Sequence, residues 1–169
     1  TTTIVDQNGT VIDTLKDSDS NRVYRTYDEI TAKTDFLPHA FVAIEDERFY
    51  EHNGIDIQGI LRAGVVGVMN GFDFTEGAST LTQQLIKNNV FDFVNEKTFF
   101  DRVERKLQEQ YLALAFEKEM NKNEILEAYL NTINLGQGCL GVQTASTRYF
   151  NKDVADLTLS ECAVIAAIT

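Results

Sequence analysis

The sequence predicts a mainly α-helical domain entered through a short N-terminal β-hairpin. Three observations carry that expectation. From Pro38 onward, apolar residues recur at the spacing of a helix face and the alternation of a strand largely disappears. Asn121-x-x-Glu124 and Thr158-x-x-Glu161 read as capping boxes, each ahead of an apolar run. Before Pro38, the turn-forming Asp6-Gln7-Asn8-Gly9 separates Ile4 and Val5 from Val11 and Ile12, and residues 4–27 alternate loosely, as a hairpin does.

A first long helix is expected from about Pro38 to Tyr50. Pro38 suits an early helical position, where its missing N–H costs nothing, and Asn53-Gly54 offers a C-terminal stop. A second helix, about 56–69, opens at Asp56, carries Ile57, Ile60, Leu61, Val65, Val66, Val68 and Met69, and stops at Asn70-Gly71. Apolar nearly all round but too short to span, it reads as a central core helix or as a segment dipping into a membrane interface. GFDFTEGA at 71–78 is a glycine-bounded loop before a helix at about 79–90. The stretch FDFVNEKTFFD at 91–101 has four phenylalanines without a clean period, and would pack under a loop or form a lipid-facing flap.

A long helix follows over roughly 102–119, with Val103, Leu107, Tyr111, Leu114 and Ala115 as its expected buried stripe and Arg102, Arg105 and Glu109 opposite. Past the Asn121 box, Ile125, Leu126, Tyr129, Leu130 and Ile133 share one side. Gly136, Gly138 and Gly141 break the chain before a helix near 142–150, and the Thr158 box opens a final apolar helix.

The 169 residues suit one domain, able to bury about two thirds of the unfolded chain's surface without disulfides or metal. A net charge of −11 leaves too few clustered cations for a general nucleic-acid surface, so no nucleic-acid partner is expected. Any anionic ligand must be met locally. Cys139 and Cys162 have no CxxC companion and give no zinc pattern; no disulfide can be assigned, and their apolar neighbours mark both as buried thiols. No apolar run reaches the roughly 18 residues of a transmembrane helix, and no signal peptide is visible. Starting in mid-pattern and stopping inside an apolar helix, the chain reads as an excised domain.

Three constellations could carry chemistry. In EDERFYEHNG, Glu45, Phe49 and His52 fall at i, i+4 and i+7, which would present a carboxylate at a helix end as an acid or base; the alternative is a solvated, acidic helix terminus. On the 79–90 helix, Thr80, Gln84 and Lys87 form a stripe beside Gln83, suited to sugar hydroxyls and an anion, or simply an amphipathic face. Arg105 and Glu109 are either a surface i, i+4 ion pair or the wall of a cleft where arginine meets phosphate.

EDERFYEHNGID at 45–56, GASTLTQQLIKN at 77–88, RKLQE at 105–109, KNEILEAYLN at 122–131 and GVQTASTRYFNKDVADLTLSE at 141–161 together resemble the family 51 peptidoglycan glycosyltransferases. All five family motifs occur in order, from about residue 30 to the end. The resemblance implies a lysozyme-like helical fold, with residues 1–30 as hairpin and stalk and 31–169 as the catalytic domain. It implies a membrane anchor, and in some members a penicillin-binding transpeptidase domain, outside this chain. The activity implied is polymerisation of lipid II at the outer face of the bacterial cytoplasmic membrane, by inverting transfer from undecaprenyl diphosphate to the 4-hydroxyl of GlcNAc.

On that resemblance, Glu45 is the general base and Glu109 the second catalytic carboxylate, assigned to a Mg²⁺ or Mn²⁺ ion or to leaving-group assistance. Lys87 and Arg105 would meet the diphosphate. Asp46, Phe49, His52, Ser79, Thr80, Gln83, Gln84, Asn88 and Lys106 fall on motif positions, with Asp46 and His52 read as supports and Thr80 and Gln84 as substrate contacts. The motifs around Glu127, Tyr129, Asn131 and Tyr149-Phe150 would support the fold and the acceptor side. Asn134-Leu135 and Cys139-Leu140 depart from the aromatic residues common there. The partners implied are lipid II, the growing lipid-linked glycan and the membrane surface, for which the 56–69 helix and residues 91–100 are the candidate contacts. A lysozyme-like glycan-cleaving enzyme is the competing expectation. It would need an essential acid but no diphosphate site, and the set Lys87, Arg105 and Glu109 favours polymerisation.

Overall fold

The computed structural model describes residues 2–5, 9, 11–15, 22–69, 77–91 and 98–169. Most of the expected 6–9 turn, of the 71–78 loop and of the phenylalanine-rich segment lies outside the described residues. Two short antiparallel strands, β1 (Thr2–Val5) and β2 (Val11–Leu15), pair with a register shift between Ile4 and Val5. The rest is mainly helical: α1 (Tyr27–Ile30), α2 (Phe36–Glu45), α3 (Ile57–Met69), α4 (Leu81–Val90), α5 (Phe99–Glu119), α6 (Lys122–Thr132), α7 (Val142–Phe150) and α8 (Leu159–Ala166), with a 3-10 turn at Val154–Asp156.

Capping chemistry explains where most of these helices begin. Thr26, Thr80, Thr98, Asn121 and Thr158 each accept a backbone N–H three residues on, and the third residue's side chain reaches back to the cap. Each such cap contributes about 1 kcal/mol. The Asn121 and Thr158 boxes start α6 and α8, as their sequence spacing predicts. The other three are spelled with glutamate, glutamine and aspartate before less regular apolar patterns.

Helix α6 is the centre of the molecule. Ile125, Leu126, Tyr129 and Leu130 are all buried, and the Tyr129 ring meets Phe41 of α2 edge-on at 5.9 Å between centroids. Helix α4 packs against both α5 and α6, and α2 against α8. Glu127 and Asn131 clasp the incoming chain: Glu127 accepts from the Tyr24 hydroxyl and the Tyr27 N–H, while Asn131 bonds both backbone groups of Arg25. Cys139 and Cys162 are free, buried thiols, and burial raises the Cys162 pKa. At Gly141, with φ +80°, an added Cβ would stand 2.7 Å from Asn131 O, so only glycine admits the turn into α7.

Three expectations need correction. Helix α2 stops at Glu45, with residues 47–50 in turns, so Glu45, Phe49 and His52 do not form a helical stripe. The physical reason is Asp46. Its carboxylate accepts the Leu81 N–H at the start of α4 and meets His52, and the backbone leaves the helix at φ −159° to make those bonds. Asn53-Gly54 is therefore not the cap of that helix. Gly54, at φ +93°, brings the chain against α5, where a Cβ would lie 2.6 Å from Ala113 O.

Second, α3 is not a core helix, since Ile57, Leu61, Val65 and Met69 are all exposed. Third, the expected buried stripe of α5 is exposed, and of the residues expected opposite it Arg105 and Glu109 turn inward while Arg102 stays exposed. Leu107 is 63% and Tyr111 74% exposed, whereas Glu109 is 0% exposed. The core is already filled by α6, and the charged face of α5 can turn inward because its charges neutralise one another.

Candidate active site

A cleft of about 900 Å³ is bordered by the C-terminus of α2, the length of α4, the inner face of α5 and the segment after α6. Eight of the expected site residues line it: Glu45, Ser79, Gln83, Gln84, Lys87, Asn88, Lys106 and Glu109. Asp46, Phe49, His52, Thr80 and Arg105 do not line this cleft; Asp46 and Thr80 hold the start of α4, and Arg105 holds Glu109.

Glu45 is delivered by the end of α2. The Gln84 amide donates to its Oε2 at 2.7 Å, and the Thr169 hydroxyl donates to its Oε1. The Tyr129 hydroxyl in turn donates to Gln84 Oε1 at 3.2 Å. Burial, with the Glu45 charge adding to it, raises the Tyr129 pKa well above that of a free phenol, so this hydroxyl stays a donor.

The segment after Glu45 is anchored from three sides. Gly54 N–H donates to His52 Nδ1 at 3.2 Å, which leaves the proton on Nε2 to be donated to Asp46 at 2.9 Å. Asp46 is thus held between a histidine and the N-terminus of α4, where the helix dipole also favours its charge. Thr80, expected as a substrate contact, is only 1% exposed; its hydroxyl donates to Gly54 O and accepts the Gln83 N–H. Phe49 is wholly buried, with Lys122 Nζ 4.3 Å above its ring. Lys122 also donates to His52 O and to Glu117, whose other oxygen accepts the Thr82 hydroxyl. Sequence spacing gives Glu117 and the motif residue Lys122 no role, since a lysine and a glutamate five apart on a helix junction look like surface charge.

On the far wall, Glu109 is paired with Arg105 one turn back on α5 and lies 2.9 Å from Lys106 Nζ. Lys106 directs its hydrogen bond to Ser79 Oγ at 2.6 Å, so Glu109 Oε2 has a charge contact but no hydrogen bond in line. Gln83 Nε2, also on the cleft, is buried without a partner because Gln83 Oε1 serves the Thr80 cap. Among the described residues, the wall therefore holds one buried donor and one buried acceptor without an in-line hydrogen bond, although the Glu109 charge is met by Arg105 and Lys106. Arg22 reaches the same cleft from the N-terminal segment, and nothing in its sequence surroundings marks it.

Apart from the cleft, Val90, Phe91, Leu107, Tyr111 and Leu112 line an apolar groove of about 410 Å³ along the outer side of α5. No described helix is long and apolar enough to cross a membrane.

A family profile described as transglycosylase matches residues 8–169. Penicillin-binding protein 1A of Clostridium perfringens (strain 13 / Type A) is 51% identical over 138 residues, covering 80% of this chain and 19% of that protein. Penicillin-binding protein 1A of Clostridium novyi (strain NT) is 44% identical over 168 residues, 98% of this chain and 19% of that protein. Penicillin-binding protein 1F of Bacillus subtilis (strain 168) is 44% identical over 165 residues, again 98% of this chain and 21% of that protein. The chain thus spans about a fifth of the length of these relatives.

Proposed function

The chain belongs to the transglycosylase family, and from that premise we propose that it is a lysozyme-like peptidoglycan glycosyltransferase domain that polymerises lipid II, with its N-terminal hairpin on the stalk side. The observation that supports this reading best is one cleft lined by Glu45, which Gln84 bonds, by Lys87 on the same helix as Gln84, and by Lys106 and Glu109 on α5. It pairs a base with a place for a diphosphate.

In the reaction, Glu45 takes the proton from the 4-hydroxyl of the acceptor GlcNAc. The freed oxygen pair attacks the anomeric carbon of the donor, and the bond to the undecaprenyl diphosphate breaks with its electrons going to the diphosphate. Attack and departure on opposite faces invert that carbon. Lys87 and Lys106 meet the growing negative charge, while Arg105 holds Glu109 in place. Fixed cations in a partly closed cleft lower the barrier because they need not reorganise as charge develops.

A Mg²⁺ or Mn²⁺ ion wants about six oxygen ligands. Glu109 offers one carboxylate already matched by Arg105 and Lys106, and among the described residues no group of three His, Cys, Asp or Glu side chains could hold a metal. These residues do not fit a protein-held ion, and a divalent cation would enter on the diphosphate of the substrate.

The exposed apolar sides of α3 and α5 support a membrane surface as the partner, at the outer face of the cytoplasmic membrane where a lipid-linked donor resides. Incubation with labelled lipid II tests the function. Long glycan should form with the wild type and not with Glu45→Gln; fragments released from preformed peptidoglycan, with no polymer, would overturn the reading.

A further inference from the structure

We propose that Tyr129 is a positioning residue for the base: its buried hydroxyl locks the Gln84 amide so that an N–H, and not the carbonyl oxygen, faces the Glu45 carboxylate. The proposal rests on the role given to Glu45 above.

The two ends of a glutamine amide are nearly the same size, and the partners at both ends decide which way it faces: an ionised carboxylate takes only an N–H, while a protonated acid can also donate to the oxygen. Here that partner is Tyr129, 1% exposed, with its ring held edge-on against Phe41. Its hydroxyl points to Gln84 Oε1 at 3.2 Å, and the amide nitrogen then donates to Glu45 at 2.7 Å. A bond from N–H to a carboxylate favours the ionised form, which is the form a base must have before it reacts. The Thr169 hydroxyl bonds the other oxygen, Oε1, and is untouched by a change at Tyr129.

Without the Tyr129 hydroxyl, no described residue holds Gln84 Oε1, and the amide can turn once Glu45 takes up a proton. The turned amide aims an oxygen at Glu45, repels the carboxylate and accepts a bond from the protonated acid. Arg22, Lys87, Lys106 and Glu109 face Glu45 from the cleft. Asp46, Glu47, Arg48, Asp56 and Arg62 line the smaller pocket on its other side. Tyr129→Phe leaves all of these fields as they are, so a change in the protonation of Glu45 reports on the amide.

The experiment compares Tyr129→Phe, Gln84→Ala and the double variant, in detergent with lipid II, across pH, after thermal melting has shown each to be folded. Tyr129→Phe should lower kcat about tenfold near the acid limb and move that limb up by about one pH unit, with KM unchanged. In the Gln84→Ala background the same change should do nothing more. An unmoved acid limb in Tyr129→Phe, or an equal loss in both backgrounds, overturns the proposal.

Replacing Tyr129 by 3-fluorotyrosine keeps the ring and strengthens the donor, so the limb should move the opposite way; no movement again overturns the lock. Carbon-13 NMR titration of the Glu45 carboxyl separates this idea from the functional one. A Glu45 titration that responds to Tyr129→Phe while Glu45→Gln still polymerises would overturn the base assignment and leave the lock standing. An inactive Glu45→Gln beside a Tyr129→Phe that changes neither titration nor rate would overturn the lock alone.

Discussion

The two faces of α5 differ in a way that hydropathy does not predict. One face carries Arg105, Lys106 and Glu109 and is turned inward, with Glu109 wholly buried. The other carries Leu107, Tyr111 and Leu114 and is exposed. A buried carboxylate is costly unless its charge is matched, and here two cations within one turn match it. The exposed leucines and tyrosine would be wasteful on a surface that meets only water, and they adjoin the apolar groove ending at Phe91. The inner face thus keeps its charges paired beside the cleft, and the outer face leaves its apolar side chains at the surface.

The largest test of that contrast is Glu109→Gln. Removing the charge leaves Arg105 and Lys106 unmatched, and stability should fall by about 2–3 kcal/mol in urea titration, discounted because Lys106 is partly exposed. A variant as stable as the wild type would show that the inner face does not depend on pairing. On the outer face, Leu107→Asp with Tyr111→Asp should leave the melting curve nearly unchanged, within about 0.5 kcal/mol per site. Sedimentation with lipid vesicles should fall several-fold for the same variant. If stability collapsed instead, that face would be packed rather than free.

The smallest effect belongs to a pair remote from both faces. Lys152 Nζ bonds Glu161 at 2.7 and 2.9 Å and, with the Thr158 backbone, holds the Glu161 carboxyl at about 2, below its ordinary value. Because the folded pKa is depressed, the contribution is present above the unfolded value near 4.5 and is lost as pH falls toward 2. Lys152→Met should therefore shrink the stability difference between pH 6 and pH 3, read from thermal melts, while leaving polymerisation intact.

Much of the site was legible in the sequence because its residues are spaced by local rules. The Asn121 and Thr158 boxes place α6 and α8, and of the expected stripe Thr80, Gln84 and Lys87 the last two line the cleft beside Gln83, while Thr80 is taken up as the cap of α4. Glu45 was legible as a carboxylate at a helix end, but the helix ends at that residue and not five later. The difference comes from Leu81, whose N–H draws Asp46 out of helical geometry from 35 positions away. Arg22 was not legible, since it reaches the cleft only through the path of the N-terminal segment.

Local chemistry along the chain determined that the protein is mainly helical, where most helices start, which family motifs it bears and which carboxylates and cations are available. These follow from interactions between residues a few positions apart, and such interactions are written in spacing. Tertiary structure alone decided which side of α5 turns inward, that the apolar residues of α3 stay exposed, that Thr80 serves a backbone carbonyl, and that Tyr129 stands behind Gln84. Those outcomes depend on which distant partner satisfies each buried polar group, and an amphipathic pattern has two faces until a neighbour chooses one.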